Sequence, residues 1–269
     1  MLVLAGCGIA LLRVAGDEAG RATLRVLGRG LGVTVRVTLL SFVMALVIGL
    51  LLGLGRVSRR RLLRELTSLY VEVVRGFPML VLILWIGYAL VPWVFQSLMA
   101  GVAWLDGRGL ALGGLVPGLL ATCRRPSDCI SPELRGIVGL GLGYGAYVAE
   151  IVRAGIQSVQ GGQMEAALSL GMSRRQGLRH VVLPQALRLS LPPLGNDFIA
   201  LLKDSALVSV LTVPDVVYEA RVHVAKTFQA LEVWNVVALV YLALTLTLSL
   251  GVRRLERRSS WPGGDHAAG

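Results

Sequence analysis

At 269 residues, with 55% hydrophobic and 16% charged side chains and a mean hydropathy of +0.70, the chain lies outside the range of soluble globular domains and reads as a membrane protein. A net charge of +11 would suit nucleic acid or an anionic surface, so the placement of the basic residues decides its meaning. Three cysteines without metal-ligand spacing exclude a cysteine-based metal centre.

Residues 1–30 are expected to form a poorly ordered or interfacial leader. Leu4-Ala5-Gly6-Cys7 has the letters of a lipoprotein cleavage site, but neither a hydrophobic region nor a basic segment precedes it, so the match reads as coincidence. Crossing roughly 30 Å of hydrocarbon takes about 20 helical residues. The charge-free run at 37–55 supplies a first span, and the long apolar run 76–105 contains a second at about 78–95, with Trp85, Tyr88 and Trp93 suited to an interfacial belt.

A glycine-rich insertion follows at 98–134. Its run 109–123, broken by Pro117, is too short for a span and reads as re-entrant or surface. Within it, Cys123 and Cys129 bracket a polar loop; a disulfide and two unpaired thiols fit the letters equally.

The third span, 136–155, must carry Glu150. Its glycines at 139, 141, 143 and 145 make two overlapping GxxxG pairs, a spacing repeated at Gly49 and Gly53, which lets helix backbones approach closely. Glu150 and Arg153 form an i, i+3 pair read as structural. The fourth span, 192–213, brings Asp197, Lys203 and Asp204 into the membrane, where they must face protein or water. The fifth is 233–252, and 259–269 is a tail.

Fifteen of the 27 basic residues fall in loops on one side of this arrangement: Arg56 to Arg75, Arg153 to Arg188, and Arg253 to Arg258. The positive-inside rule then places the N-terminus outside and the C-terminus in the cytoplasm. Five arginines before the first span, Arg13, Arg21, Arg25, Arg29 and Arg36, lie on the outer side and are a secondary objection.

Between the third and fourth spans lies "EAALSLGMSRRQGLRHVVLP", residues 165–184. It predicts two short helices about a turn. Gly171 suits the left-handed position that ends the first helix, Ser173 and Gln176 form a capping box for the second, and Leu183-Pro184 stops it. Leu168, Leu178 and Val182 are expected to form its inner face. Ala166 and Ala167 leave a shallow surface for a partner, and Arg174, Arg175 and Arg179 face solvent. A DNA-reading helix-turn-helix uses similar letters, but membrane spans on both sides and the lack of a soluble dimerising domain exclude nucleic acid.

Glu165-Ala166-Ala167, Gly171 and the closing Val181-Val182-Leu183-Pro184 resemble the EAA loop of ABC importer permeases. "EVVRGFPMLV" (72–81), "GAYVAEIVRAGIQSVQGGQMEAA" (145–167) and "LPQALRLSLPPLGNDFIALLKDSALVSVL" (183–211) are similar to the polar amino acid uptake subfamily. The resemblance covers about 31–258; the leader and the insertion depart from it. It implies an all-α integral membrane fold of five transmembrane helices, like type I importer permeases, with a cytoplasmic coupling loop in which Glu165, Ala166, Ala167, Gly171, Leu183 and Pro184 meet a separate ATPase dimer. It also implies a second permease subunit, identical or not, a periplasmic amino-acid-binding protein, and ATP with Mg on the ATPase and no cofactor on this chain. The residues require such a division independently: no phosphate-binding G-x-x-x-x-G-K-[ST] loop exists, and the only lysines are Lys203 and Lys226.

Candidates for the solute path are Tyr144, Tyr147 and Glu150 along one side of the third span, with Asn196 and Lys203 on one helical face and Asp197 and Asp204 on another about 100° away. Two readings stay open, a path for zwitterionic amino acids or intramembrane salt bridges that lock helices. An ion-coupled secondary transporter, with Asp197, Lys203 or Glu150 as proton or cation sites, is the alternative function. His180, His223 and His266 have neither metal spacing nor a nearby nucleophile, so no catalysis and no metal site are expected.

Overall fold

The computed structural model describes residues 2–106, 130–159 and 161–259. Its elements are α1 (Leu2–Gly16), α2 (Glu18–Arg56), α3 (Arg61–Gly76), α4 (Met79–Trp85), α5 (Val91–Asp106), α6 (Pro132–Ser158), α7 (Gly161–Ser169), α8 (Arg174–Gly177), α9 (Leu183–Asp204), α10 (Val216–Thr227) and α11 (Ala230–Ser259). A π-turn joins α4 to α5, another joins α8 to α9, and a 3-10 segment, Ser205–Leu211, extends α9. Among the described residues, four stretches are long and apolar enough to cross a membrane: α2, Met79–Leu105, α6 and α11. Cys123 and Cys129, most of the expected insertion and all but the first residue of the expected tail lie outside the described residues.

The bundle is organised by α2 against α6, its most extensive helix pair. A Cβ on Gly49 would lie 2.5 Å from Val148 Cβ, and one on Gly53 2.7 Å from Val152 Cβ. The overlapping GxxxG pairs of α6 divide the work: Gly141 and Gly145 admit Met44 and Ile48 of α2, while Gly139 and Gly143, on the other side, admit Ile83 and Met79 of α4. Helices packed in lipid depend on such close van der Waals contact. Ion pairs fasten the two ends. Arg36 donates to Glu133 through Nε at 2.6 Å and through its terminal nitrogen at 2.7 Å, and Arg56 pairs with Glu150. The order 36 with 133, 41 with 137, and 53 with 152 makes α2 and α6 parallel.

Other contacts fix the remaining directions. Met79 meets Gly143 and Gly87 meets Arg135, so α4 runs antiparallel to α6. So does α9, because Ser190 meets Gly155, Tyr144 meets Asp204, and Val208 meets Gly136. Gly195 against Val252, with Leu202 and Ala243 on one cavity wall, sets α11 antiparallel to α9. Thus α2, α6 and α11 point one way and α3–α5 and α9 the other. The ends carrying Arg56 to Arg64, Arg153, Arg174 to Arg188, Arg253 and Arg254 gather on one face.

The N-terminal segment departs from the sequence reading. The expected leader boundary near residue 30 falls inside α2, and the segment before it is helical and packed: Leu27 is 2% exposed in a cluster with Val216, Ala220, Val233, Val236 and Val237. The expected second span near 78 falls at Met79–Leu105, and α3 precedes it, packed along the half of α6 nearer the arginine-rich end. Thr67 touches Gly55 at the arginine-rich end, Val71 packs on Ala146 and Ala149, and the break at Gly76–Pro78 lies level with Gly143 to Tyr147, the middle of α6. Pro78, lacking an N–H, starts α4 afresh there.

At the opposite face Asp215 caps α10. Its Oδ1 accepts from the Tyr218 N–H at 2.8 Å, the residue is 0% exposed, and Oδ2 has no partner among the described residues. Burial pushes the carboxyl up to about 6. The folded state therefore holds this proton more tightly than the unfolded chain. Its contribution to stability is fully present below about pH 4 and is lost as pH rises toward 6. Asp215→Asn, which keeps the capping oxygen, is expected to flatten that part of the melting-temperature profile in detergent; an unchanged profile would contradict it.

Candidate functional site

The first candidate is the segment 161–184 on the arginine-rich face. α7 ends in a Schellman turn: the Met172 N–H donates to Ala167 O at 3.1 Å, the Gly171 N–H to Leu168 O at 3.0 Å, and Gly171 has φ +81°. No atom lies within 4 Å of where a Gly171 Cβ would be, so backbone conformation alone calls for glycine. Ser173 and Gln176 make the expected capping box. The close approach sits at Gly177, where a Cβ would meet Met164 Sδ at 2.9 Å and Ala167 Cβ at 3.4 Å.

That packing corrects the expected faces. Ala167 (3% exposed) and Val182 are inside, whereas Leu168 and Leu178 are exposed, and Leu170 stands out at 83%. Glu165 and Ala166 are also exposed. The inner face is built from small residues because α7 and α8 meet at a glycine. The knob therefore presents three leucines outward beside Glu165.

Leu183-Pro184 does not stop the second helix. The π-turn Leu178–Val182 absorbs the proline: the Leu183 N–H reaches Leu178 O, five residues back, and Gln185 Nε2 donates to Val181 O at 3.0 Å. Pro184 then occupies the first turn of α9, where its missing N–H costs little. Helix continues to Asp204, tolerating Pro192 and Pro193.

The second candidate is a cluster at the level of the α3–α4 break. Tyr144, 4% exposed, donates to Asp204 Oδ2 at 2.9 Å. The Tyr147 ring lies 5.7 Å from that of Tyr144, and the Arg75 guanidinium stands 5.4 Å from the Tyr147 centroid, within cation–π range. Asp197, two turns before Asp204 on the same face of α9, has a buried Oδ2 with no hydrogen-bond partner among the described residues. So the structure brings together Tyr144, Tyr147, Asp197 and Asp204. It does not bring Glu150, which is held by Arg56 and Arg153 toward the arginine-rich end, with Arg153 Nε 3.2 Å from Glu150 Oε2. Asn196 and Lys203 are exposed on α9.

Arg75 is the residue that sequence reasoning missed, and Glu72 lies near it on α3. Both are exposed on α3, on a face separate from Leu62, Leu66, Leu69 and Val73, and both lie above the arginine-rich end toward mid-membrane depth. An available signal was an arginine directly preceding a Gly-Phe-Pro break at the start of an apolar run.

A family model described as the binding-protein-dependent transport system inner membrane component matches residues 45–261. The chain belongs to that family. The permease is 35% identical over 229 residues to the glutamine transport system permease protein GlnP of Escherichia coli, covering 85% of this chain and 90% of the relative. It is 36% identical over 225 residues to the probable glutamine ABC transporter permease protein GlnM of Bacillus subtilis, covering 82% and 89%. Among solved structures, an amino acid ABC transporter crystallised with histidines matches with a TM-score of 0.72 and 33% identity, over 90% of this chain and 98% of that one. The inward-facing MetNI methionine ABC transporter, at 21% identity and a TM-score of 0.66 over 91% and 100%, shares the fold.

Proposed function

We propose that this permease moves polar amino acids across the inner membrane by alternating access, driven by a cytoplasmic ABC ATPase dimer that binds ATP and Mg on its own chains. The observation that carries the reading is the continuity of the knob with the midplane cluster: the capped helix behind Gly171 runs through the π-turn into α9, which bears Asp197 and Asp204. The arginine-rich face is the cytoplasmic one, the N-terminus is periplasmic and the C-terminus cytoplasmic, with five crossings formed by α2, α3–α5, α6, α9 and α11. Leu168, Leu170 and Leu178 seat in a groove on the ATPase. A second permease subunit, identical or not, covers the polar face of α3 and α9, because Arg75 and Lys203 exposed to hydrocarbon would each cost about 2.5 kcal/mol or more. A periplasmic binding protein delivers the solute. Glutamine is named for two of the relatives, which supports a polar amino acid as cargo.

In the path, Asp197 offers an unpaired anionic oxygen and Arg75 a cation, with Tyr144 and Tyr147 between them, so the two signs of a zwitterion meet complementary groups. The Tyr144–Asp204 bond and the Glu150 pairs hold helices in place.

Gly171→Arg and Glu165→Lys test the coupling. Any L side chain at φ +81° strains the turn by about 1 kcal/mol, and a bulky cation at its tip obstructs the seat. Co-purification of the ATPase is expected to fall at least about tenfold, the effect of ~1.4 kcal/mol, while membrane insertion stays intact. Co-purification at wild-type levels would count against the reading. Uptake into proteoliposomes holding this chain without the ATPase would instead establish the ion-coupled alternative.

A further inference from the structure

An apolar groove runs along the side of the bundle away from the exposed Asn196 and Lys203. It consists of two cavities, about 370 Å³ and about 450 Å³, that share Phe198, Thr247 and Leu248. Walls come from α2 (Val35 to Leu46), α9 (Leu191 to Leu202) and α11 (Ala243 to Val252). Along α9, from Leu202 to Leu191, the groove is about 17 Å long at 1.5 Å per residue, which is about one leaflet of a ~30 Å hydrocarbon core. Its end at Leu191 and Val252 points at the arginine-rich face, while its α2 wall slants away toward Val35. There the helical registers place Arg188 one turn before Leu191, and Arg254 one turn beyond Gly251, in line with the lining residues. Both arginines are exposed, and neither makes an ion pair among the described residues.

We propose that this groove is a binding site for one anionic phospholipid of the leaflet on the arginine-rich face, an acyl chain lying against Phe198 and Leu248 and the phosphate held between Arg188 and Arg254. The chemistry favours this occupant over bulk lipid packing. A slot one leaflet long with two unpaired cations at its interfacial end matches the shape and the charge of a single molecule, and basic residues at membrane surfaces gain about 1 kcal/mol each from anionic headgroups. The site depends on the arginine-rich end lying at a bilayer surface and does not require the ATPase or any particular solute, so its failure leaves the transport reading intact.

The test uses the full-length permease purified in detergent and incubated with equal amounts of phosphatidylglycerol and phosphatidylcholine, with retained lipid counted by native mass spectrometry. One phosphatidylglycerol per chain is expected to be retained with about a thirtyfold preference, the effect of two such cations. Arg188→Gln with Arg254→Gln is expected to abolish the preference while leaving the melting temperature in a phosphatidylcholine bilayer unchanged. Thr247→Phe, which fills the junction of the two cavities, is expected to remove retention of both lipids. Equal retention by the wild type, or an undiminished preference in the double arginine variant, would overturn the proposal. So would disulfide cross-linking of Leu248→Cys between two copies in a bilayer, which would make the groove a contact between chains.

Discussion

Replacing Gly53 with leucine is expected to prevent assembly of the bundle. The new Cβ would sit 2.7 Å from Val152 Cβ and 2.9 Å from Ala149 O, distances at which α2 must move away from α6. Neither wall can yield cheaply, because one is backbone and the other a β-branched side chain packed in the central cluster. Overpacking a close-packed interior costs about 1–3 kcal/mol even where side chains can adjust; here α2 and α6 are also pinned by Arg36–Glu133 and Arg56–Glu150, so the strain cannot be relieved by tilting. A loss of more than about 3 kcal/mol is expected. Size-exclusion profiles and melting of the detergent-solubilised variant are the measurement. Gly32→Leu on the same helix is the control, since nothing lies within 4 Å of its Cβ position. Equal melting of the two variants would contradict the packing account.

Arg75→Ala and Asp197→Asn are expected to leave the bundle folded and to remove most transport. Arg75 has no ion pair among the described residues and rests over the Tyr147 ring, so its removal breaks little of the fold. If it meets a solute carboxylate, a hydrogen bond to a charged group contributes about 1.5–3 kcal/mol, a loss of roughly 10–150-fold in uptake. Asp197→Asn keeps the shape and removes the charge, with a loss in the same range. Uptake should fall while ATPase co-purification stays at the wild-type level, a separation that the Gly171 variant does not give. Transport within twofold of wild type for both variants would remove these residues from the path.

The first, third and fifth spans were readable because α2, α6 and α11 owe their place to long charge-free runs, and hydropathy measures that directly. The capping box at Ser173 and the left-handed Gly171 were readable because both are local, set by residues within one turn. The packing of α3 ahead of the second span was not. Its exposed Glu72 and Arg75 keep its average hydropathy low although Leu62, Leu66, Leu69 and Val73 form an apolar stripe. The proline at 184 misled for a related reason. Its effect depends on whether a π-turn upstream can take up the lost hydrogen bond, which letters do not show. Arg75 went unrecognised because its partner ring, Tyr147, is distant in sequence and meets it only through the packing of α3 on α6. Of the path candidates, the tyrosines and aspartates gathered, whereas Glu150 went to Arg56 and Arg153, a choice made by the parallel register of α2 and α6.

The unbroken course of α9 from the π-turn gives the knob an unusual mechanical relation to the cluster. Pro184 and Asp197 are separated by about 20 Å of helix at 1.5 Å per residue, with no loop between them to dissipate a push. A tug on Gly171 and its neighbours would therefore reach Asp197 through one helix, bending first at Pro192 and Pro193, much as a jointed crank turns a distant valve.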